Sequence, residues 1–221
     1  MCISPIGLVP KKAPGKYRII HHLSFPQGSS VNSGIPDEAA SVHYSSIDDA
    51  IQKIKRLGKG CYLVKLDIES AFKIVPVHPE DHHLLGFSWK GCYYFDKTLP
   101  MGLRSSCSIF EKISHAIEWA ARDKARVEEL LHLLDDFLLL ARSFKRSERD
   151  KQNFISLCET LRIPLAADKL EGPATCLTFA GIILDTVKWE ARLPEEKRFK
   201  CIEKIHTLLN HNKTTLRELQ S

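Results

Sequence analysis

Apolar positions along the chain change their period several times, and each change marks an element. Residues 3–9 form a short apolar run, the basic stretch Lys11-Lys12-Ala13-Pro14-Gly15-Lys16 interrupts it, and residues 17–23 resume it. That pattern predicts a hairpin with a positively charged tip. Residues 24–45, rich in Ser, Gly and Pro, predict an extended loop. Ser46-Ile47-Asp48-Asp49 then opens a helix in the manner of a capping box, which Gly58 and Gly60 end. Residues 61–66 read as a buried strand ending on Asp67, followed by a helical turn over 69–73. A hairpin across 84–96 carries Lys90-Gly91 near its middle. Between 105 and 121, Ile109, Ile113, Ala116, Ile117 and Ala120 recur at helical spacing. The apolar runs 130–134 and 137–140 meet at Asp135-Asp136, which predicts a tight antiparallel hairpin. A helix over 147–161 places Phe154, Ile155, Leu157, Cys158 and Leu161 on one side. Runs at 177–184 and 187–192 predict a further hairpin, and Pro194 starts a last helix. Strands and helices interleave without strict βαβ alternation, so the expected class is α+β with a mainly antiparallel sheet.

Composition narrows this only a little. The 221 residues suit one large domain or two small ones, and 43% apolar with 27% charged residues exclude wholesale disorder. A net charge of +5 is compatible with a polyanionic partner, although many proteins without one share it. The cysteines at 2, 61, 92, 107, 158, 176 and 201 form no CxxC pair and no Cys/His spacing suited to zinc. Their odd number, with no secretory leader, predicts reduced thiols inside the cell, in cytoplasm or nucleus. His21-His22 and His82-His83 are adjacent pairs rather than an i, i+4 face, so no histidine metal site is expected. The longest apolar stretch, 130–141, is broken by His132 and the aspartate pair, and a bilayer span needs about 20 apolar residues, so no membrane helix is expected.

Three carboxylates carry the candidate chemistry. Asp67 ends an apolar strand, and Asp135 with Asp136 joins two others. If these strands are neighbours, the three acids converge at one sheet edge. Clustered carboxylates repel one another and take up protons unless positive charge compensates them. Hard divalent cations supply that charge through oxygen ligands. Taken singly, an Asp-Asp between apolar runs is ordinary turn chemistry and an Asp at a strand end is an ordinary cap.

The flanking residues decide between these readings. Val64-Lys65-Leu66-Asp67-Ile68-Glu69-Ser70-Ala71-Phe72, continuing to Val75-Pro76-Val77-His78-Pro79, resembles the first catalytic block of retroelement reverse transcriptases. Leu99-Pro100-Met101-Gly102-Leu103-Arg104-Ser105-Ser106, followed by Phe110, is similar to the second block. Leu133-Leu134-Asp135-Asp136-Phe137-Leu138-Leu139 resembles the third. Phe179-Ala180-Gly181-Ile182-Ile183-Leu184-Asp185 resembles the primer-grip hairpin, and Tyr17-Arg18-Ile19-Ile20-His21-His22-Leu23-Ser24 with Ser29-Ser30-Val31-Asn32 the fingers block. All five stand in family order over roughly residues 3–210. The His-His-Leu-Ser phrase, with Phe110-Glu111-Lys112 before Glu118-Trp119, is most similar to the tyrosine-recombinase (DIRS-like) retrotransposons.

The resemblance implies a right-hand polymerase. Residues 1–60 would belong to the fingers, 61–190 to the palm with an interleaved fingers segment and the primer-grip hairpin, and 191–221 to the start of the thumb. It implies a template, RNA or DNA, with its primer, deoxynucleoside triphosphates as substrates, and two Mg2+ ions (or Mn2+) held by Asp67, Asp135 and Asp136. Phe72 would sit under the nucleotide sugar and exclude a 2′-hydroxyl; by itself it reads as a core phenylalanine. The amides of Ser70 and Ala71 would hold triphosphate oxygens. Lys11 and Arg18 would clamp phosphates, where the residues alone suggest a solvated basic turn. Lys169 would protonate the leaving pyrophosphate, or else be one more surface lysine. Gly102 would let the main chain approach the nucleobase.

Two positions depart from the family pattern. Leu133 stands where an aromatic residue is usual, and Met101 where glutamine is common, so nucleotide discrimination at Met101 would rest on shape. Only the first thumb helix, about residues 194–210, is expected, with no ribonuclease H segment after it. A non-catalytic nucleic-acid-binding remnant of a retroelement is the competing reading. An RNA-templated RNA polymerase, sharing the palm, is a third that Phe72 opposes.

Overall fold

The computed structural model describes residues 1–10, 15–209 and 215–216. Strands β1 (Ile6–Pro10) and β2 (Tyr17–His21) form the N-terminal antiparallel hairpin, with Val9 opposite Arg18. Residues 11–14 of the expected basic tip, Lys11 among them, lie outside the described residues. The stretch read as a loop over 24–45 holds a 3-10 turn at Val31–Gly34 and the short helix α1 (Asp37–Ala40). Helix α2 (Ile47–Leu57) begins in the expected capping box: Ser46 Oγ accepts from the Asp49 amide, and Asp49 Oδ2 accepts from the Ser46 amide at 2.7 Å.

Strand β3 (Tyr62–Asp67) leads into a 3-10 turn at Ala71–Ile74, and β4 (Gly86–Trp89) pairs with β5 (Cys92–Phe95). Helix α3 (Ser106–Asp123) precedes β6 (Glu129–Leu133) and β7 (Asp136–Ala141). Helix α4 (Phe144–Thr160) starts three residues before the expected 147, because Ser143 caps it by accepting from the Arg146 amide. Strand β8 (Glu171–Ala174) follows, a strand that Glu-Gly-Pro-Ala gives no reason to expect. It lies against β3 through Gly172, at φ 96°, where a Cβ would stand 2.3 Å from the Leu63 carbonyl oxygen. The run read as one strand over 177–184 splits at Ala180-Gly181 into β9 (Cys176–Phe179) and β10 (Ile182–Asp185), and β11 (Glu190–Arg192) pairs with β10. Helix α5 spans Glu195–Leu209.

The centre is a four-stranded antiparallel sheet in the order β6-β7-β3-β8. Both of its faces are covered. Val64, Leu66, Leu130, Phe137 and Leu139 point to one side and pack with Phe110, Ile117 and Ala121 of α3 and Phe154 and Cys158 of α4. Leu63, Leu131, Leu138 and Leu140 point to the other, against Ala50 and Ile54 of α2 and Leu177, Phe179 and Leu184 of the β9–β10 hairpin. Burial on both faces explains why these strands read as continuous apolar runs rather than alternating ones. The α+β class is as expected.

The face of α3 differs from the expected stripe. Its buried positions are Ser106, Ser108, Phe110, Glu111, Ser114, Ile117 and Ala121, while Ile109 and Ile113 are half-buried and Ala116 is exposed. The helix is turned so that four polar residues, Ser106, Ser108, Glu111 and Ser114, enter the interior, which a reading of hydropathy alone misses.

Candidate active site

Asp67 is the last residue of β3, and its Cα partner across the ladder is Asp136, the first residue of β7. The turn between β6 and β7 is therefore Leu134-Asp135, one residue earlier than the expected Asp135-Asp136 junction. Leu134 accepts a φ of 53°, unusual for a bulky residue. It is held there because its side chain packs against the core and its carbonyl accepts from the buried Ser114 Oγ at 2.8 Å. That single-residue shift sets Asp136 directly opposite Asp67, with Asp135 beside them in the turn.

Main-chain contacts fix the arrangement. The Ile68 amide donates to the Asp135 carbonyl at 3.0 Å, the Ala166 amide to the Asp67 carbonyl at 2.9 Å, and the Glu69 amide to the Pro164 carbonyl at 2.9 Å. Asp67 is 6% exposed, while Asp135 and Asp136 are half-buried. Burial and the Asp67 carboxylate hold Asp135 above the ordinary carboxyl range, against the pull of Lys169 and Arg18. Burial pushes Asp136 up to about 6, opposed by Lys65 and reinforced by the carboxylates of Asp67 and Asp135. Lys169 Nζ lies 2.7 Å from Asp67 Oδ1, and that hydrogen bond, with all three carboxylates, raises the lysine. The cluster thus draws positive charge from the protein itself. Its all-oxygen donor set suits a hard divalent ion such as Mg2+.

The other expected site residues fall around this edge. Ser70, in the left-handed region at φ 52°, and Ala71 open the 3-10 turn after β3, and the first amides of such a turn have no acceptor within it. Phe72 is half-buried, edge-on to Phe110 with ring centroids 5.7 Å apart. Arg18 is exposed on β2 and close enough to lower Asp135. The Met101 carbonyl accepts from the His21 amide at 2.8 Å.

The fold itself requires glycine at 102: at φ 120°, a Cβ there would stand 1.8 Å from the His21 carbonyl oxygen. The Gly102 carbonyl accepts from Asn32 Nδ2 at 2.8 Å, and Asn32 Oδ1 accepts from the Arg104 amide at 2.8 Å. The buried His21 ring contacts Asp96 at 3.2 Å and the Gly86 carbonyl at 3.1 Å, and Lys73 meets Asp96 at 3.1 Å. His21, Asn32 and Asp96 thus hold the β1–β2 hairpin to the Met101-Gly102 segment. Their positioning role was missed because no short-range spacing connects residues about 70 apart. The one available signal was the His-His-Leu-Ser and Asn32 phrase.

The family described as reverse transcriptase (RNA-dependent DNA polymerase) matches residues 9–184. The chain belongs to this family. Among reverse transcriptase relatives, the Gag-Pol polyprotein of avian leukosis virus subgroup A (isolate RSA) is 25% identical over 175 residues, covering 76% of this chain and 10% of that polyprotein. The Pro-Pol polyprotein of simian foamy virus type 1 is 31% identical over 107 residues, 48% of this chain and 8% of the relative. The chain therefore spans about a tenth of the polyproteins it matches. Among solved structures, a foamy viral protease–reverse transcriptase in complex with double-stranded DNA superposes with a TM-score of 0.73 at 18% identity, covering 99% of this chain and 34% of that one. A foamy viral protease–reverse transcriptase in complex with an RNA/DNA hybrid gives a TM-score of 0.65 at 18% identity, covering 99% of this chain and 26% of that one. These structures share the reverse transcriptase polymerase fold with this chain. Among the described residues, no helix is long and apolar enough to cross a membrane.

Proposed function

We propose that this chain is the fingers-and-palm portion of a reverse transcriptase that adds deoxynucleotides to a primer 3′-hydroxyl on a nucleic-acid template. In this reading residues 1–60 belong to the fingers, 61–190 to the palm with an interleaved fingers segment, and 191–221 begin the thumb. The observation that carries it is the cross-strand pairing of Asp67 with Asp136, with Asp135 in the adjoining turn and Lys169 balancing the charge. Asp67 and Asp135 would hold two divalent ions, Mg2+ or Mn2+, with the Ile68 carbonyl as a further oxygen and Asp136 adding negative field. Such ions, when bound, activate the attacking hydroxyl and stabilise the leaving pyrophosphate.

The chain's own residues then bind and orient. The Ser70 and Ala71 amides take triphosphate oxygens, with Arg18 and Lys11 supplying charge from the β1–β2 hairpin. Phe72 fills the space of a 2′-hydroxyl. Lys169, whose protonated form the aspartates favour, would give its proton to the departing phosphate. Catalysis of this kind rests on positioning and charge neutralisation more than on covalent chemistry. A primer–template duplex as partner is supported by the duplexes bound to the foamy viral relatives. The His21-His22-Leu23-Ser24 phrase supports a place among the DIRS-like retrotransposons.

Primer extension on an RNA template tests the proposal. Asp135→Asn is expected to reduce extension by at least about a hundredfold relative to the unaltered protein. Equal extension by the two proteins would leave only the non-catalytic nucleic-acid-binding reading.

A further inference from the structure

A second cluster of ligating side chains lies behind the aspartate turn. Glu111 and His115 are four residues apart on α3, hence on one face of the helix. His132 reaches them from β6, three residues before Asp135. One ligand atom from each of the three lies within 4.8 Å of the others. Glu111 is 5% exposed and His132 1%, whereas His115 faces solvent.

The interior of this cluster holds buried polar atoms without hydrogen-bond partners among the described residues. Neither carboxylate oxygen of Glu111, nor Nε2 of His132, has a hydrogen-bond partner among the described residues. Glu111 Oε1 and His132 Nε2 stand 3.4 Å apart without the alignment of a hydrogen bond. His132 Nδ1 is engaged on its other side, 2.6 Å from Glu118 Oε2. Glu118 Oε1 also accepts from Arg122 at 2.8 Å, and the pairing of Glu118 with His132 Nδ1 leaves Nε2 as the free nitrogen of that ring.

The His115 ring is held the same way, its Nδ1 2.9 Å from the Glu111 carbonyl, so its Nε2 is also the free nitrogen. Imidazoles that bind a metal through one nitrogen and donate from the other to a carboxylate or carbonyl are the recurring arrangement of metal sites. Two imidazoles and one carboxylate form an established zinc donor set, with a fourth position left to water. Zinc–ligand bonds of about 2.0–2.1 Å place tetrahedral neighbours roughly 3.3 Å apart. The Glu111–His132 separation already has this value. The His115 ligand atom lies within 4.8 Å of the other two and has to come closer for one ion to take all three.

We propose that Glu111, His115 and His132 bind one Zn2+ ion, with Glu118 orienting His132. The ion bridges α3 to β6 and braces the base of the hairpin that carries Asp135 and Asp136. It is separate in position and donor chemistry from the all-oxygen aspartate edge. Soft-to-borderline nitrogen ligands favour zinc over magnesium.

The test is a Zn2+ titration of the chelator-stripped chain by calorimetry in excess Mg2+, with Co2+ as a spectroscopic substitute. The expected result is one equivalent of Zn2+ bound, a melting temperature that rises with Zn2+, and visible Co2+ bands of a four-coordinate nitrogen–oxygen site. His115→Ala, at an exposed position, is expected to keep the metal-free melting temperature and weaken Zn2+ binding by at least about tenfold. Glu111→Gln should weaken it as well, while Asp135→Asn should leave it unchanged. Zn2+ affinity in His115→Ala equal to that of the unaltered chain would overturn the assignment, as would failure of the unaltered chain to bind. In either case Glu111 and His132 would be a proton-bridged ion pair.

Discussion

Burial pushes Asp136 up to about 6 from an ordinary 3.8, with Lys65 opposing the rise and the neighbouring carboxylates adding to it. Below pH 4 the proton is bound whether the chain is folded or not. As pH rises, the unfolded chain releases it first, so the stability this group confers is lost as pH passes through about 6. In the presence of chelator, the unaltered protein should therefore be less stable to urea at pH 8 than at pH 5. Asp136→Asn should flatten that slope and be more stable at pH 8 by about 1–3 kcal/mol. Asp135, also raised, keeps a residual slope. An unchanged pH profile in Asp136→Asn would contradict the crowding of the three acids. Phe72 carries the second prediction at this scale. Phe72→Ala should lower the preference for deoxynucleotides over ribonucleotides by about a hundredfold, read as a ratio of single-nucleotide extension rates so that lost folded protein cancels. The meeting of the three aspartates was legible because each lies in a motif that is contiguous in sequence. His21, Asn32 and Asp96 were not, since their partners lie far along the chain.

Elements show why a motif can be read while its geometry is not. The β6–β7 hairpin was expected, yet its turn falls on Leu134-Asp135, because a leucine at φ 53° is tolerated only where packing and a hydrogen bond hold it. Two polar residues in a row suggested the opposite. Ser114 makes the difference, and Ser114→Ala leaves the Leu134 carbonyl without its donor. It should cost about 1–3 kcal/mol in chemical denaturation, and an unaltered midpoint would show that the turn holds itself. The rotation of α3 has a related cause. Glu111 and Ser114 enter the interior to meet β6 and its turn, and apolar periodicity does not register polar residues that are buried. Strand β8 escaped notice because Glu171-Gly172-Pro173-Ala174 lacks β-branched or aromatic residues, and it is recruited by the close approach of Gly172 to β3.

Across the whole molecule, one sheet buried on both faces delivers the three acids to a single edge. Asp67 leaves from an inner strand, β3, and Asp136 enters its neighbour β7, so their pairing is enforced by the register of six consecutive residue pairs, from Tyr62 opposite Ala141 to Asp67 opposite Asp136. A one-residue slip would exchange the two cores and part the acids. Sharing of a divalent ion at this edge is most directly tested by iron-mediated cleavage, in which Fe2+ substituted for Mg2+ generates radicals that cut the main chain beside the ion. Cuts are predicted next to Asp67 and at the Leu134-Asp135 turn, suppressed by excess Mg2+ and lost in Asp135→Asn. Absence of a cut at Asp67, or an equal cut there in Asp135→Asn, would contradict a shared ion.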